Sequence, residues 1–248
     1  MKAYWESDGV TLYHGDCREV LAALPAESVQ CIVTSPPYNV GLKGASWQDN
    51  LSDEDFAEFN RQWLEVLVPI MAESARLYVV VSDKLLFTLR PMAEMAGLAF
   101  GQLLAWCKPN LSGGSGVTGD WSYLTEYILL FRKGKRTPML DSFGAANTHS
   151  FFVIPSPQSN WTREPKEHPA QFPVALCRRL LSRTPGEVVL DPFMGSGSVG
   201  VAAIGLGRKF IGTDTDESYC EIAKRRIVKA QGQLMLTFDV SQLTLEGE

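Results

Sequence analysis

The chain has 248 residues, 45% of them hydrophobic, with 23 Lys and Arg against 28 Asp and Glu for a net charge of −5. That length and hydrophobic content suit one large domain with a full core, and no apolar run approaches the ~18 residues of a membrane span. The start MKAYWESDGV lacks the apolar stretch of a signal peptide, and five scattered cysteines without a C-x-x-C pair argue for reduced thiols in a cytoplasmic setting, against a disulfide frame or a zinc site.

From the N-terminus, VTLYHGD (10–16) reads as a strand, followed by a short helix that stops at Pro25. VQCIV (29–33) is a second strand and runs into Thr34, Ser35, Pro36, Pro37 and Tyr38. Two consecutive prolines neither donate to a sheet nor continue into a helix, so this strand ends in a rigid corner flanked by a hydroxyl and an aromatic ring. SDEDFAEFNRQWLEVLVPIMAESA has an N-cap Ser52, early acids and apolar residues at helical spacing, which predicts one long amphipathic helix through 75. RLYVVVS is a buried strand, and a helix over about 84–96 follows. AFGQLLAWCK and TEYILLFRKG are neighbouring strands joined by PNLSGGSGVTGDWS, and 134–165 is read as a small irregular insertion. The rest alternates: helix PAQFPVALCRRLLSRT, strand EVVLD, helix GSVGVAAIGLG, strand RKFIGTD, helix ESYCEIAKRRIVKA, with LMLTFDV as a last strand or a docked tail. Alternation at both ends means a mostly parallel sheet with helices on both faces.

Charge is unevenly spread. Residues 49–60 hold five acids and no base, whereas 120–185 hold nine bases against five acids. A local basic surface is what phosphate contacts need, so the negative net charge does not exclude nucleic acid. Within that region Arg132, Lys133, Lys135 and Arg136 are the candidates for DNA contact. The three histidines show no ligand spacing, and no metal is assigned.

VVLDPFMGSGSVG carries the second motif. A strand ends at Asp191, Gly195, Gly197 and Gly200 follow in a G-x-G-x-x-G pattern, and the next strand ends at Asp214, nineteen residues after Gly195. Glycines let a backbone approach a ligand closely, and an acid at the next strand end can take both hydroxyls of a ribose. The spacing alone suits NAD equally. However, only 48 residues follow Gly200, room for little more than one βα unit, and a dinucleotide domain needs several further strands there. A mononucleoside with a short non-phosphate tail fits the chain order better.

Together TSPPYN, DPFMGSG, LGRKFIGTD and EHPAQFP resemble the DNA amino-methyltransferases, and the order, catalytic corner before glycine loop, resembles their permuted β class. The resemblance spans about residues 10–230. It implies a Rossmann-like S-adenosylmethionine-dependent methyltransferase fold: an α/β, mostly parallel doubly wound sheet with an antiparallel hairpin. The whole chain, 1–248, would be one domain with 134–165 as an inserted target-recognition region. It implies S-adenosylmethionine held by Asp191, Gly195, Gly197 and Asp214, with Asp16 near the adenine, His168 and Phe172 closing over the methionine part, and Phe193 lining the pocket. Asp16 also fits a helix N-cap.

An exocyclic amine is a poor nucleophile because its lone pair is delocalised into the ring. Acceptors aimed at its N–H bonds draw it toward a reactive geometry, and Ser35 and the Pro36 carbonyl supply two, with Pro37 fixing the corner and Tyr38 offering a face to a base flipped out of duplex DNA. In the family a Ser before Pro-Pro is associated with cytosine and an Asp with adenine. Cytosine N4 is therefore the expected target, with adenine N6 as the alternative and a catalytically silent DNA-binding relative as the rival of another class. The partner is double-stranded DNA; a homodimer and a cognate restriction endonuclease stay open.

Overall fold

Strands with apolar, β-branched runs form the centre of the molecule, and helices cover both faces. The computed structural model describes residues 2–41, 49–109, 124–140, 149–157 and 164–245. In chain order these are β1 (Trp5–Ser7), β2 (Val10–His14), α1 (Cys17–Ala23), β3 (Val29–Thr34), α2 (Asp53–Ile70), β4 (Met71–Val81), α3 (Asp83–Met95), β5 (Ala99–Cys107), β6 (Thr125–Arg132), β7 (Phe151–Val153), α4 (Val174–Ser182), β8 (Val188–Asp191), α5 (Ser198–Ile204), β9 (Lys209–Asp214) and α6 (Glu217–Leu245). The sheet has nine strands in the order β1-β2-β9-β8-β3-β4-β6-β5-β7. The central pairs β2–β9, β9–β8, β8–β3 and β3–β4 are parallel, and β6 runs antiparallel to both β4 and β5. The expected fold class is the observed one.

Each face of the sheet has its own core. One is filled by Leu21 of α1, Trp63, Leu64 and Leu67 of α2, and Leu85 and Leu89 of α3. The other is filled by Leu176 and Leu180 of α4, Val199 and Ala202 of α5, and Ala223 and Ile227 of α6. This three-layer arrangement buries the central strands on both sides, which is why CIV (31–33) and VVV (79–81) read as continuous apolar runs.

Three sequence readings are corrected. Helix α2 ends at Ile70, not 75: Pro69 disrupts the last turn, and Met71 already pairs with Val29 of β3. Ser74, at φ 68°, accompanies a register shift in that pair, so β4 takes in residues whose local pattern looked helical. LMLTFDV is neither strand nor tail, because α6 continues unbroken to Leu245 with no proline to stop it. The insertion 134–165 is not wholly irregular, since Phe151–Val153 adds a parallel edge strand to β5. The connection between β5 and β6 at 110–123, and 141–148 and 158–163 of the insertion, lie outside the described residues. Among the described residues no helix is long and apolar enough to cross a membrane. All five cysteines are free thiols.

Candidate active site

The two motifs, far apart in the chain, lie on adjacent strands. β3 pairs with β8, Ile32 opposite Leu190, so the proline corner and the glycine loop leave the sheet side by side at its carboxyl edge. A hydrogen bond joins them directly: the Thr34 hydroxyl donates to Asp191 Oδ1 at 2.7 Å, and the Phe193 N–H donates to the same oxygen at 3.1 Å. Asp191 is only 3% exposed, and burial lifts its pKa to about 7. In open α/β sheets a cleft forms at such a place, and one of about 570 Å³ opens here.

On one wall stand Ser35, Pro36, Pro37 and Tyr38. Pro36 is buried, and Ser35 and Tyr38 are half-buried. The Ser35 hydroxyl donates to the Tyr38 oxygen at 3.0 Å, with a longer contact to the Val80 carbonyl at 3.3 Å, and the Tyr38 hydroxyl donates to Glu126 Oε2 at 3.2 Å. Burial, and then the Glu126 charge, push the Tyr38 phenol well above its ordinary pKa. Glu126 is paired with Lys108, whose ammonium also lies 4.6 Å from the centre of the Trp106 ring. These three residues come from facing ends of β5 and β6 and line the same cleft. The corner is pinned from below. Asp49 takes the N–H groups of Asn39 and Val40, and the Asn39 side chain both donates to and accepts from Leu51.

The opposite wall is the glycine loop. Gly195, at φ +46°, donates its N–H to Asp214 Oδ2 at 2.9 Å, and Asp216 N–H holds Oδ1. The Asp214 carboxylate is thus fixed by two backbone donors while burial raises its pKa. A Cβ on Gly195 would stand 3.5 Å from the His168 ring, so the loop and the EHPAQFP segment face each other across the cleft. His168 packs edge-on against Tyr219 with ring centres 4.3 Å apart, and burial lowers its pKa to about 4, keeping the imidazole neutral. Phe172 meets Trp106 edge-on, and Phe193 leans on Phe59 and Trp63. Asp16 both caps α1 through Arg18 N–H and pairs with the Arg18 guanidinium, which holds its carboxyl below the usual range. Arg226 of α6 braces the loop from behind through the Ser196 carbonyl and the Ser196 and Ser198 hydroxyls.

Two groups of expected site residues fall elsewhere. Gly197, at φ +74°, does not line the cleft; a Cβ there would sit 2.8 Å from Ala223 Cβ, so this glycine serves the close approach of α5 and α6. Arg132, Lys133, Lys135 and Arg136 lie at the far edge of the sheet. β6 is antiparallel, so its start, Thr125 and Glu126, reaches the cleft while Arg132 pairs with Arg76, five residues or about 16 Å back along β4 from Val81. Lys133 there donates to the Met71 carbonyl. Sequence reasoning missed Glu126, Lys108, Trp106, Asp49 and Arg226. Only the acid inside the apolar run TEYILLF was a local signal for any of them.

The residues present fit an adenosyl ligand. An oriented carboxylate, Asp214, can take a ribose diol, and Phe193 and Val199 give the cleft apolar surface.

Comparison with known proteins agrees. A family described as DNA methylase, of the N6/N4 type, matches residues 29–225. Type II methyltransferase M.HpaI of Haemophilus parainfluenzae is 30% identical over 226 residues, covering 84% of this chain and 71% of that protein. M2.LlaDCHI of Lactococcus lactis subsp. cremoris, also a Type II methyltransferase, is 28% identical over 254 residues, covering 92% and 93%. Among solved structures, a putative DNA modification methylase from Thermus thermophilus, complexed with S-adenosyl-L-methionine, is 26% identical, with a TM-score of 0.66 over 88% of this chain and 93% of that one. The PvuII cytosine-N4-specific DNA methyltransferase shares the fold, with a TM-score of 0.77, 18% identity and 94% coverage of both chains.

Proposed function

The chain belongs to the N6/N4 DNA methylase family, S-adenosylmethionine-dependent enzymes that methylate amino groups of DNA bases, and from that premise we propose that its target is N4 of cytosine in duplex DNA. The observation that carries the reading is the seating of the TSPPY corner and the glycine loop on adjacent strands of one cleft, tied by the Thr34–Asp191 bond. Bound S-adenosylmethionine supplies an electrophilic methyl on a sulfonium, which leaves as a neutral thioether.

Asp214 would take the ribose hydroxyls, Gly195 would give room for close approach, Asp16 would stand near the adenine with Phe193 lining the pocket, and His168 and Phe172 would close over the amino-acid end; all six line the cleft. The Ser35 oxygen and the Pro36 carbonyl accept from the target amine, and Pro37, lacking an N–H, offers the amine no competing donor. Held this way, the amine's lone pair would face the transferred methyl, and most of the acceleration would come from orientation. Tyr38 gives the base a ring face once it has left the duplex. Ser35 before the Pro-Pro pair, the residue the family associates with cytosine, supports this base, and its neutral hydroxyl leaves adenine N6 as the alternative. Within the insertion 134–165, the part at Phe151–Val153 that pairs with the cleft end of β5 is the target-recognition region in this reading, the enzyme works in the cytoplasm, and a restriction endonuclease is its counterpart, as the Type II relatives suggest.

The test is incubation with labelled S-adenosylmethionine and mixed-sequence duplex DNA, then mass spectrometry of the nucleosides. N4-methylcytosine is expected. N6-methyladenine would reassign the base and keep the family chemistry, and C5-methylcytosine would overturn the mechanism, because that carbon needs a nucleophile absent from this corner.

A further inference from the structure

Two hydroxyls and a carboxylate stand in line from the cleft wall inward: Ser35 donates to Tyr38 at 3.0 Å, and Tyr38 donates to Glu126 at 3.2 Å. We propose that this line is a proton path and that Glu126, on β6, is the terminal acceptor for the proton the target amine must lose. The proposal rests on the amino-methylation reading above.

The balance is simple. As the nitrogen lone pair forms the N–CH3 bond, the S–CH3 electron pair returns to sulfur, and the nitrogen carries a positive charge and one proton too many. Ser35 Oγ accepts that proton and passes its own to Tyr38 Oη, which passes its own to Glu126 Oε2. The methylated base ends neutral and Glu126 ends as a carboxylic acid, later deprotonated by water.

Three features of the geometry favour this direction. Ser35, Tyr38 and Glu126 are already within hydrogen-bond distance in one unbroken line, the Ser35 hydroxyl having the Val80 carbonyl at 3.3 Å as its second acceptor, so no side chain has to move to join the line. The Ser35 oxygen, having given its proton inward, keeps its lone pairs for the amine, the role the corner chemistry assigns to it. Lys108 pairs with Glu126, the two side chains only 12% and 20% exposed, so a cation faces the carboxylate at the end of the line and balances its charge. A positively charged amine conjugated to a base ring is a far stronger acid than a carboxylic acid, so a lysine-paired carboxylate is still basic enough. Tyr38 and Lys108 are the titratable groups hydrogen-bonded to Glu126, one from the corner and one from the residue that follows β5.

The alternative is that Glu126 merely positions the Tyr38 ring. Glu126→Gln keeps an oxygen for the Tyr38 hydroxyl but not the basicity, and Tyr38→Phe keeps the ring but not the relay. Single-turnover methylation should fall by about 10²-fold in each, in the range of general-base contributions. DNA and S-adenosylmethionine affinities should be unchanged, Glu126→Asp should restore part of the rate, and the solvent deuterium effect of the wild type should be altered in both variants. Without cofactor or DNA, NMR titration of ring-labelled tyrosine should show the Tyr38 phenol moving down toward its ordinary pKa in Glu126→Gln. A wild-type rate in either variant, or a loss appearing in affinity instead of rate, would overturn the relay. Should Glu126→Gln fail to fold, the Tyr38→Phe rate alone decides. A wild type that methylates no base would instead sink the functional reading, which separates the two failures.

Discussion

Asp191 offers a direct measurement of what the cleft costs the fold. Its carboxyl is 3% exposed, and burial raises its pKa from 3.8 to about 7. Because the folded value lies above the unfolded one, the folded protein keeps a proton that the unfolded chain has released. The stabilising effect is complete below about pH 4 and is lost as pH rises to about 7, beyond which it stays flat. A shift of roughly three units at ~1.4 kcal/mol each makes the buried charge worth roughly 4 kcal/mol against folding at alkaline pH. Asp191→Asn removes the charge and keeps Oδ1, the atom that accepts from both Thr34 and Phe193 N–H. Urea unfolding of cofactor-free protein should show the variant more stable than the wild type, with the gap widening by roughly 3 kcal/mol between about pH 5 and pH 8. Other carboxylates titrate in both proteins and cancel in the difference. A gap independent of pH, or a variant no more stable at pH 8, would mean that the carboxylate is comfortably ionised in the fold and that the burial argument fails.

Asp214→Ala should weaken S-adenosylmethionine binding by ~1.5–3 kcal/mol, as expected for a charge-assisted bond, while Ser35→Ala leaves it intact; calorimetry on both decides, and equal losses would unseat Asp214 from the ribose. Gly197→Ala should cost about 2 kcal/mol or more, since a left-handed residue gains a Cβ 2.8 Å from Ala223, whereas Gly207→Ala, at φ +66° in open space, should cost only the backbone part of about 1 kcal/mol; equal melting shifts would refute the packing role. Lys135→Ala with Arg136→Ala should leave the salt dependence of DNA binding unchanged because both follow the far end of β6; a slope reduced by about two units would place DNA there after all.

Local chemistry fixed much of this protein in advance. Ser52 and the acids behind it start α2, Asp16 caps α1, and Pro36–Pro37 and Gly195 mark strand ends where the backbone must turn or stay open. These features act through a residue's own φ, its hydrogen-bonding groups or its next turn, so they are readable one segment at a time. The same holds for the two motifs, whose chemistry was legible separately.

Tertiary structure decided how those segments face one another. Nothing local in VQCIV and EVVLD says that the two strands are neighbours, yet their pairing creates the cleft and the Thr34–Asp191 bond. Strand direction is equally silent in an apolar run. TEYILLFR reads the same either way, but its antiparallel insertion between β4 and β5 sends Glu126 to the active edge and Arg132 to the far one. That single choice sets the basic cluster that begins at Arg132 away from the cleft and brings in the Lys108–Glu126 pair. Likewise Pro69 and the demand of β3 for a partner ended α2 early, overriding a helical pattern that ran on to 75. Side-chain periodicity reports which faces are buried; which strand lies alongside, and in which direction, is set by hydrogen bonds between segments far apart in the chain.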